Sequence, residues 1–179
     1  MIRRILPYFV LACFLLSTAM LRPLPMRARG NASRATCQSN LKQIGFAFQQ
    51  YAQDNNDRLP SRYWGESIAL YAKKDSVFQC PETPDNKGTS DYFFNAHFLK
   101  GNLREIGEIE SPATLIFLGE GLVDVPLNTT LAQLPSAWFK DEKSPLWRHL
   151  NGANYGFGDG HVKWLKAGRV DRNLKVVTQ

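Results

Sequence analysis

The chain has no acidic residue before Asp54, so its first 53 positions are electrostatically one-sided. Several chemistries are missing as well. There is no Gly-x-Ser-x-Gly nucleophile turn, no glycine loop ending in Lys-Ser or Lys-Thr, and no dinucleotide-binding fingerprint. Gly156-Phe157-Gly158 leads into Asp-Gly and a strand pattern rather than a helix, so it presents no helix N-terminus to a phosphate. No internal repeat is visible. Asp141-Glu142 and the pair Glu108 and Glu110 sit in polar surroundings that suit a solvated surface, and catalysis is not expected.

What remains is enough for one domain. The 179 residues are 44% apolar and 12% aromatic, sufficient to bury a core. The formal charge of +6 is local: residues 1–34 hold six arginines and no acid, while the rest balances sixteen basic against sixteen acidic groups. A neutral domain lacks the basic surface that phosphate backbones need, which argues against nucleic acid as a partner.

Arg3 and Arg4 precede an apolar run from Ile5 to Leu21, interrupted by Pro7, Ser17 and Thr18. Residues 1–21 read as a signal sequence, with a small-residue cleavage site at Ser17-Thr18-Ala19, or as a short membrane anchor. The four arginines that follow favour the opposite orientation to export by the positive-inside tendency. Val10-Leu11-Ala12-Cys13 is a poor lipoprotein signal, because the apolar run continues past Cys13. Residues 22–34, rich in Arg and Pro, are expected to form a mobile linker, and residues 35–179 the globular domain.

From Cys37 the pattern becomes helical. Cys37, Leu41, Ile44, Phe48 and Tyr51 form one stripe, widened by Phe46 and Ala47, with Asn31 or Ser33 as the cap and Asp54 to Asp57 as the stop. A second helix is expected from Arg62 to Lys73. Val77 to Pro81 reads as a short apolar segment ending in a turn, Tyr92 to Asn95 and Phe98-Leu99 as extended pieces, and Leu115 to Leu118 as a central strand buried on both sides. Gly119 to Ser144 shows no period and reads as a long excursion with a helical turn near Leu131. The stretch Arg148 to Leu165 reads as a meander with turns at Asn151-Gly152 and Gly158-Asp159-Gly160 and with Phe157 and Trp164 in the core. Val176-Val177 suits an edge strand or a tail.

Two constellations bear chemistry. His149, Asp159 and His161, with His97 approaching, offer imidazole and carboxylate donors for a zinc-type ion. Against this, Asp159-Gly160 is a natural turn and His149 a natural backbone hydrogen-bonder. Cys37 and Cys80 are an even pair able to form a disulfide if the domain is exported, or to remain as two buried thiols. No cofactor is expected.

Cys37-Gln38-Ser39-Asn40-Leu41-Lys42-Gln43-Ile44-Gly45, then Tyr51, Asp54 and Pro60, then Phe78-Gln79-Cys80-Pro81, and finally His149, nine residues and Asp159-Gly160 resemble the pseudopilin-related proteins abundant in planctomycete-type bacteria. The resemblance implies an α+β, pilin-like fold, with a long N-terminal helix packed on a small antiparallel β-sheet. It implies a non-enzymatic protein of the bacterial cell envelope, related to type II secretion or type IV pilus-like systems. It would be anchored in the inner membrane or exported, with other envelope or pilin-like subunits as partners. The chain departs from the family pattern at its start: no Gly-Phe junction and no neighbouring glutamate occur, and Pro23 and Pro25 would interrupt a helix continuing from the apolar run.

Overall fold

The structure, a computed structural model, describes residues 13, 24–83, 89–99 and 111–176. The expected anchor or signal at residues 1–21 therefore lies outside the described residues, apart from Cys13. No helix among the described residues is long and apolar enough to cross a membrane.

Helix α1 spans Leu24–Asp54, 31 residues or about 46 Å at helical rise. It begins well before the apolar stripe, so the expected linker at 22–34 is helical from Leu24 and the expected caps at Asn31 and Ser33 are interior positions. The reason is local. Met, Ala and Arg are good helix formers, and Pro25 falls in the first turn, where its missing N–H would have no partner in any case. Residues 27–29, 31 and 32 are exposed, so this half carries no apolar period that could reveal it. Farther along, Cys37, Leu41, Ile44, Ala47 and Phe48 are buried as the stripe requires, whereas Phe46 is 62% exposed and does not widen the apolar face. Asn55 ends the helix by donating its side-chain amide to the Tyr51 carbonyl at 2.7 Å, and Asn56 and Asp57 follow in the left-handed region.

Helix α2, Trp64–Ala72, is shorter than expected by two residues at its start and one at its end, with Lys73 as its left-handed cap. Five strands follow: β1 (Thr89–Asn95), β2 (Ile116–Pro126), β3 (Thr130–Leu131), β4 (Gly152–Phe157) and β5 (Val162–Lys166). Their order is β3-β1-β2-β4-β5; the short β1–β3 pair is parallel and the rest are antiparallel. The expected α+β arrangement of a long N-terminal helix on a small sheet is thus present. β2 is central, and it extends eight residues past Leu118 into the expected excursion. Phe98-Leu99 belongs to a 3-10 turn, Ala96–Leu99, instead of a strand. The helical turn expected near Leu131 falls at Ser136–Phe139, while Leu131 itself is in β3. Only the second turn of the expected meander joins two strands; the first follows a 3-10 turn at Pro145–Trp147. Val176 closes a bridge to Val170.

Both sheet faces are covered. On one, Leu41, Ile44 and Phe48 of α1 and Trp64 and Ile68 of α2 meet Tyr92, Phe94, Phe117 and Leu118. The Phe48 ring lies 4.9 Å from Phe94, 5.0 Å from Phe117 and 5.7 Å from Trp64, within the range of favourable aromatic pairs. On the other face Phe93, Ile116, Tyr155, Phe157 and Leu165 are covered by Trp138, Leu146, Val170 and Leu174. A register irregularity between Ile116 and Leu118 lets the adjacent Phe117 and Leu118 both join the helix-side core. Gly119 is required by crowding, since a Cβ there would stand 2.6 Å from the Phe93 ring. Because Phe48 contacts three aromatic partners at the centre of this core, Phe48→Ala should lower the unfolding free energy by about 3–5 kcal/mol, read as a fall in the denaturation midpoint.

Candidate functional site

The upper end of the α1 stripe is polar where the lower end is aromatic. Asn40 donates from Nδ2 to the Gln79 carbonyl at 2.8 Å and to the Tyr92 hydroxyl at 3.2 Å, pinning the segment that carries Cys80 against the helix. The Cys80 N–H donates to Asp91 Oδ2 at 2.7 Å, which holds the same segment from the β1 side. One turn before Asn40, Cys37 points its Sγ to within 2.8 Å of Cys80 Sγ, both buried and both free thiols. The two cysteines paired from the sequence are therefore neighbours.

His149 completes the cluster from below β4. Leu150 and Asn151 adopt left-handed backbone, φ 54° and 65°, and this tight reversal lets the His149 N–H donate to the Gly152 carbonyl at 2.9 Å. The Trp164 indole N–H donates to the His149 carbonyl at 2.8 Å. A left-handed leucine costs about 1–2 kcal/mol, so the turn is held by what it positions. The imidazole Nε2 lies 3.1 Å from Glu120 Oε1 and 3.5 Å from Cys80 Sγ. Asn154 of β4 donates to the same Glu120 oxygen at 2.7 Å, and Arg148 donates from Nη2 to the Gly121 carbonyl at 2.6 Å. Glu120 Oε2, His149 Nδ1, Asn154 Oδ1 and Arg148 Nη1 are buried without a hydrogen-bond partner among the described residues. Such a concentration of unpaired groups is uncommon in a purely structural network.

Charge is distributed accordingly. Burial works against the His149 imidazolium, but hydrogen bonds to Cys80 and Glu120 and the charge of Glu120 outweigh it and raise its pKa from 6.5 to about 9. The Cys37 thiol donates to Cys80 and so favours the Cys80 thiolate; with help from His149 and Arg148 this overcomes burial and lowers Cys80 from 9.0 to about 6. Cys37 is pushed up by that same bond and by burial. Glu120 and Cys80 meet the same imidazole nitrogen. A nucleophile relay needs the carboxylate on one ring nitrogen and the thiol on the other, so this is not a Cys-His-Glu catalytic arrangement.

The expected metal set of His149, Asp159 and His161 is not assembled. His149 lies before β4 and the other two after it, separated by a six-residue strand, roughly 20 Å of chain. Asp159 and His161 instead pair with each other at 2.5 Å in an exposed turn, where His161 stacks on Phe157. Asp159 is lowered against its slight burial by hydrogen bonds from His161. Gly160, at φ +87°, makes the expected reversal. His97 is exposed in the turn after β1, its N–H bonded to Asn95. The donors that do converge are Cys37, Cys80 and His149, whose ligating atoms lie within 4.8 Å of one another. Sequence reasoning missed Glu120, Asn154, Arg148 and Tyr92. One signal existed: Glu120 is the only acid in the apolar run from Leu115 to Val123.

The cluster makes stability against pH a readout of sulfur chemistry. His149 adds stability that is complete below pH 6.5 and lost as pH rises through about 9; Cys80 adds stability that is complete above 9.0 and lost as pH falls through about 6. With free thiols the two slopes oppose each other, and the thermal midpoint should be nearly flat between pH 6.5 and 9. With the sulfurs bonded Cys80 neither titrates nor bonds the imidazole, Glu120 alone holds the His149 pKa above 6.5, and the midpoint should fall as pH rises above that value. Scanning calorimetry across the window, with and without reductant, distinguishes the two.

Residues 26–75 are similar to the family model SBP_bac_10, described as a protein of unknown function, DUF1559. The match covers α1 from its third residue, the Cys37 to Gly45 motif and α2, less than a third of the chain, and leaves out His149 and Asp159-Gly160. No curated protein and no solved structure matches the chain.

Proposed function

We propose that the protein is a non-enzymatic, pseudopilin-like component of a bacterial cell envelope, held at the membrane by residues 1–21 or exported by them, with its domain outside the cytoplasm. The observation that carries this reading is helix α1. It is one continuous helix whose second half forms the core of the domain and whose first half runs on toward the basic, apolar N-terminal segment with exposed side chains. From Leu24 onward such a helix holds its own N-terminal end at a fixed distance and direction from the folded head. The family match over residues 26–75 supports the reading, because it falls on this helix and its motif.

The same helix suits contact with other envelope or pilin-like subunits. Arg27 and Arg29 are exposed on its free half, and Phe46 is exposed farther along. The neutral charge of the domain disfavours nucleic acid. Membership of a type II secretion or type IV pilus-like assembly is the specific form of the proposal.

Fractionation of native cells tests it. The full chain should sediment with membranes, protease added outside intact spheroplasts should remove the domain, and deletion of residues 1–21 should leave most of the protein in the soluble cytoplasmic fraction. Mass spectrometry of the native N-terminus separates a retained segment, cleavage after Ala19 and lipid on Cys13. A full-length protein found soluble and protease-protected would sink the proposal.

A further inference from the structure

Cys37 and Cys80 stand at the junction between α1 and the domain. Cys37 is on the helix, and Cys80 follows the 3-10 turn Asp75–Phe78 in a segment fixed from both sides by Asn40 and Asp91. Two thiolates sharing a tetrahedral zinc, each about 2.3 Å from it, would stand roughly 3.8 Å apart. Here the sulfurs are 2.8 Å apart, closer than a shared ion allows. The surroundings of the two sulfurs differ. Cys80 faces the His149 imidazole and the Arg148 charge, whereas Cys37 faces the Tyr92 hydroxyl and the Glu120 charge. Pro81 and Arg148, next in sequence to Cys80 and His149, line a cleft of about 580 Å³ together with Arg29, Ser33 and Thr83. The cleft thus adjoins both sulfurs in sequence, Cys80 through Pro81 and Cys37 through Ser33 one helical turn before it.

We propose that Cys37 and Cys80 form a reducible disulfide latch between α1 and the sheet, with Cys80 released as a thiolate toward His149 and Arg148 when an envelope dithiol opens it. The latch rests on the proposed location outside the cytoplasm, where disulfides persist. In the first step a reductant thiolate attacks Cys37 Sγ, the Sγ–Sγ bond breaks and the electron pair leaves on Cys80. In the second step the reductant's other thiol displaces Cys37, giving the reductant disulfide. Of the two protons brought by the dithiol, one ends on Cys37 and the other is released to solvent, and the Cys80 thiolate is left facing the His149 imidazolium, which Glu120 already keeps protonated. Two electrons enter the latch and two leave the reductant.

The test uses the full-length chain purified in detergent without reductant. Alkylation under denaturing conditions followed by mass spectrometry should find Cys37 and Cys80 blocked before reduction and labelled after it. Equilibration in glutathione buffers should then show His149→Gln shifting the thiol–disulfide equilibrium about tenfold toward the disulfide, because the leaving thiolate loses its cationic partner. Should that variant not fold, the thiolate absorbance of the reduced wild-type chain carries the same question, with an expected midpoint well below the ordinary thiol value of about 8.5. Free thiols at Cys37 and Cys80 in the unreduced chain, one zinc per chain, or an ordinary thiol midpoint would each overturn the latch. The glutathione equilibrium belongs to the purified chain wherever the cell keeps it, so its failure and a cytoplasmic location are separate results.

Discussion

Everything in the domain depends on how one stripe of α1 seats against the sheet. Helical geometry puts Cys37, Asn40, Leu41, Ile44 and Phe48 along a single face, and all five are buried. The last three close the aromatic core around Phe94, Phe117 and Trp64. The first two close the polar cluster around Cys80, Tyr92 and His149. A shift of the helix by one turn would expose the cluster and open the core together, so the apolar packing holds the polar chemistry in place.

The second constraint is the carboxylate in the middle strand. Glu120 sits in β2 with no exposure, where an isolated charge would be prohibitively destabilising. It is tolerated because Asn154 donates to it from β4 and His149 reaches it from the reversal before that strand. That requirement explains the left-handed Leu150, 45% exposed yet holding a strained backbone, since only a tight reversal leads from His149 directly into β4. It also ties the sheet to the cysteines: the imidazole that neutralises Glu120 is the group beside Cys80. The proposed latch draws on this coupling of helix, strand and sulfur, whereas the proposed envelope role draws on α1.

The fold was legible where burial imposes a period on the sequence. The α1 stripe from Cys37, the helix around Ile68, the buried strand at Ile116 to Leu118 and the turn at Asp159-Gly160 each have a residue pattern that admits one conformation. The start of α1 has no such pattern, because residues 27–29, 31 and 32 are exposed, and helix propensity without burial leaves no period to read. The extension of β2 was hidden for the opposite reason: its glycines and Glu120 look like loop residues until crowding by Phe93 and pairing with Asn154 explain them.

By itself the sequence determined the stripe of α1 from Cys37, the second helix, the buried strand at Ile116 to Leu118, the turn at Asp159-Gly160 and the absence of the common catalytic motifs, and it offered Cys37 and Cys80 as an even pair, since these depend on local pattern and on counting. Only the tertiary structure decided that His149 belongs with the cysteines and Glu120 instead of with Asp159 and His161. The reason is the geometry of β4: an extended strand carries residues close in sequence to opposite ends of the sheet, while α1 brings Cys37 and the chain around Cys80, 43 positions later, into contact.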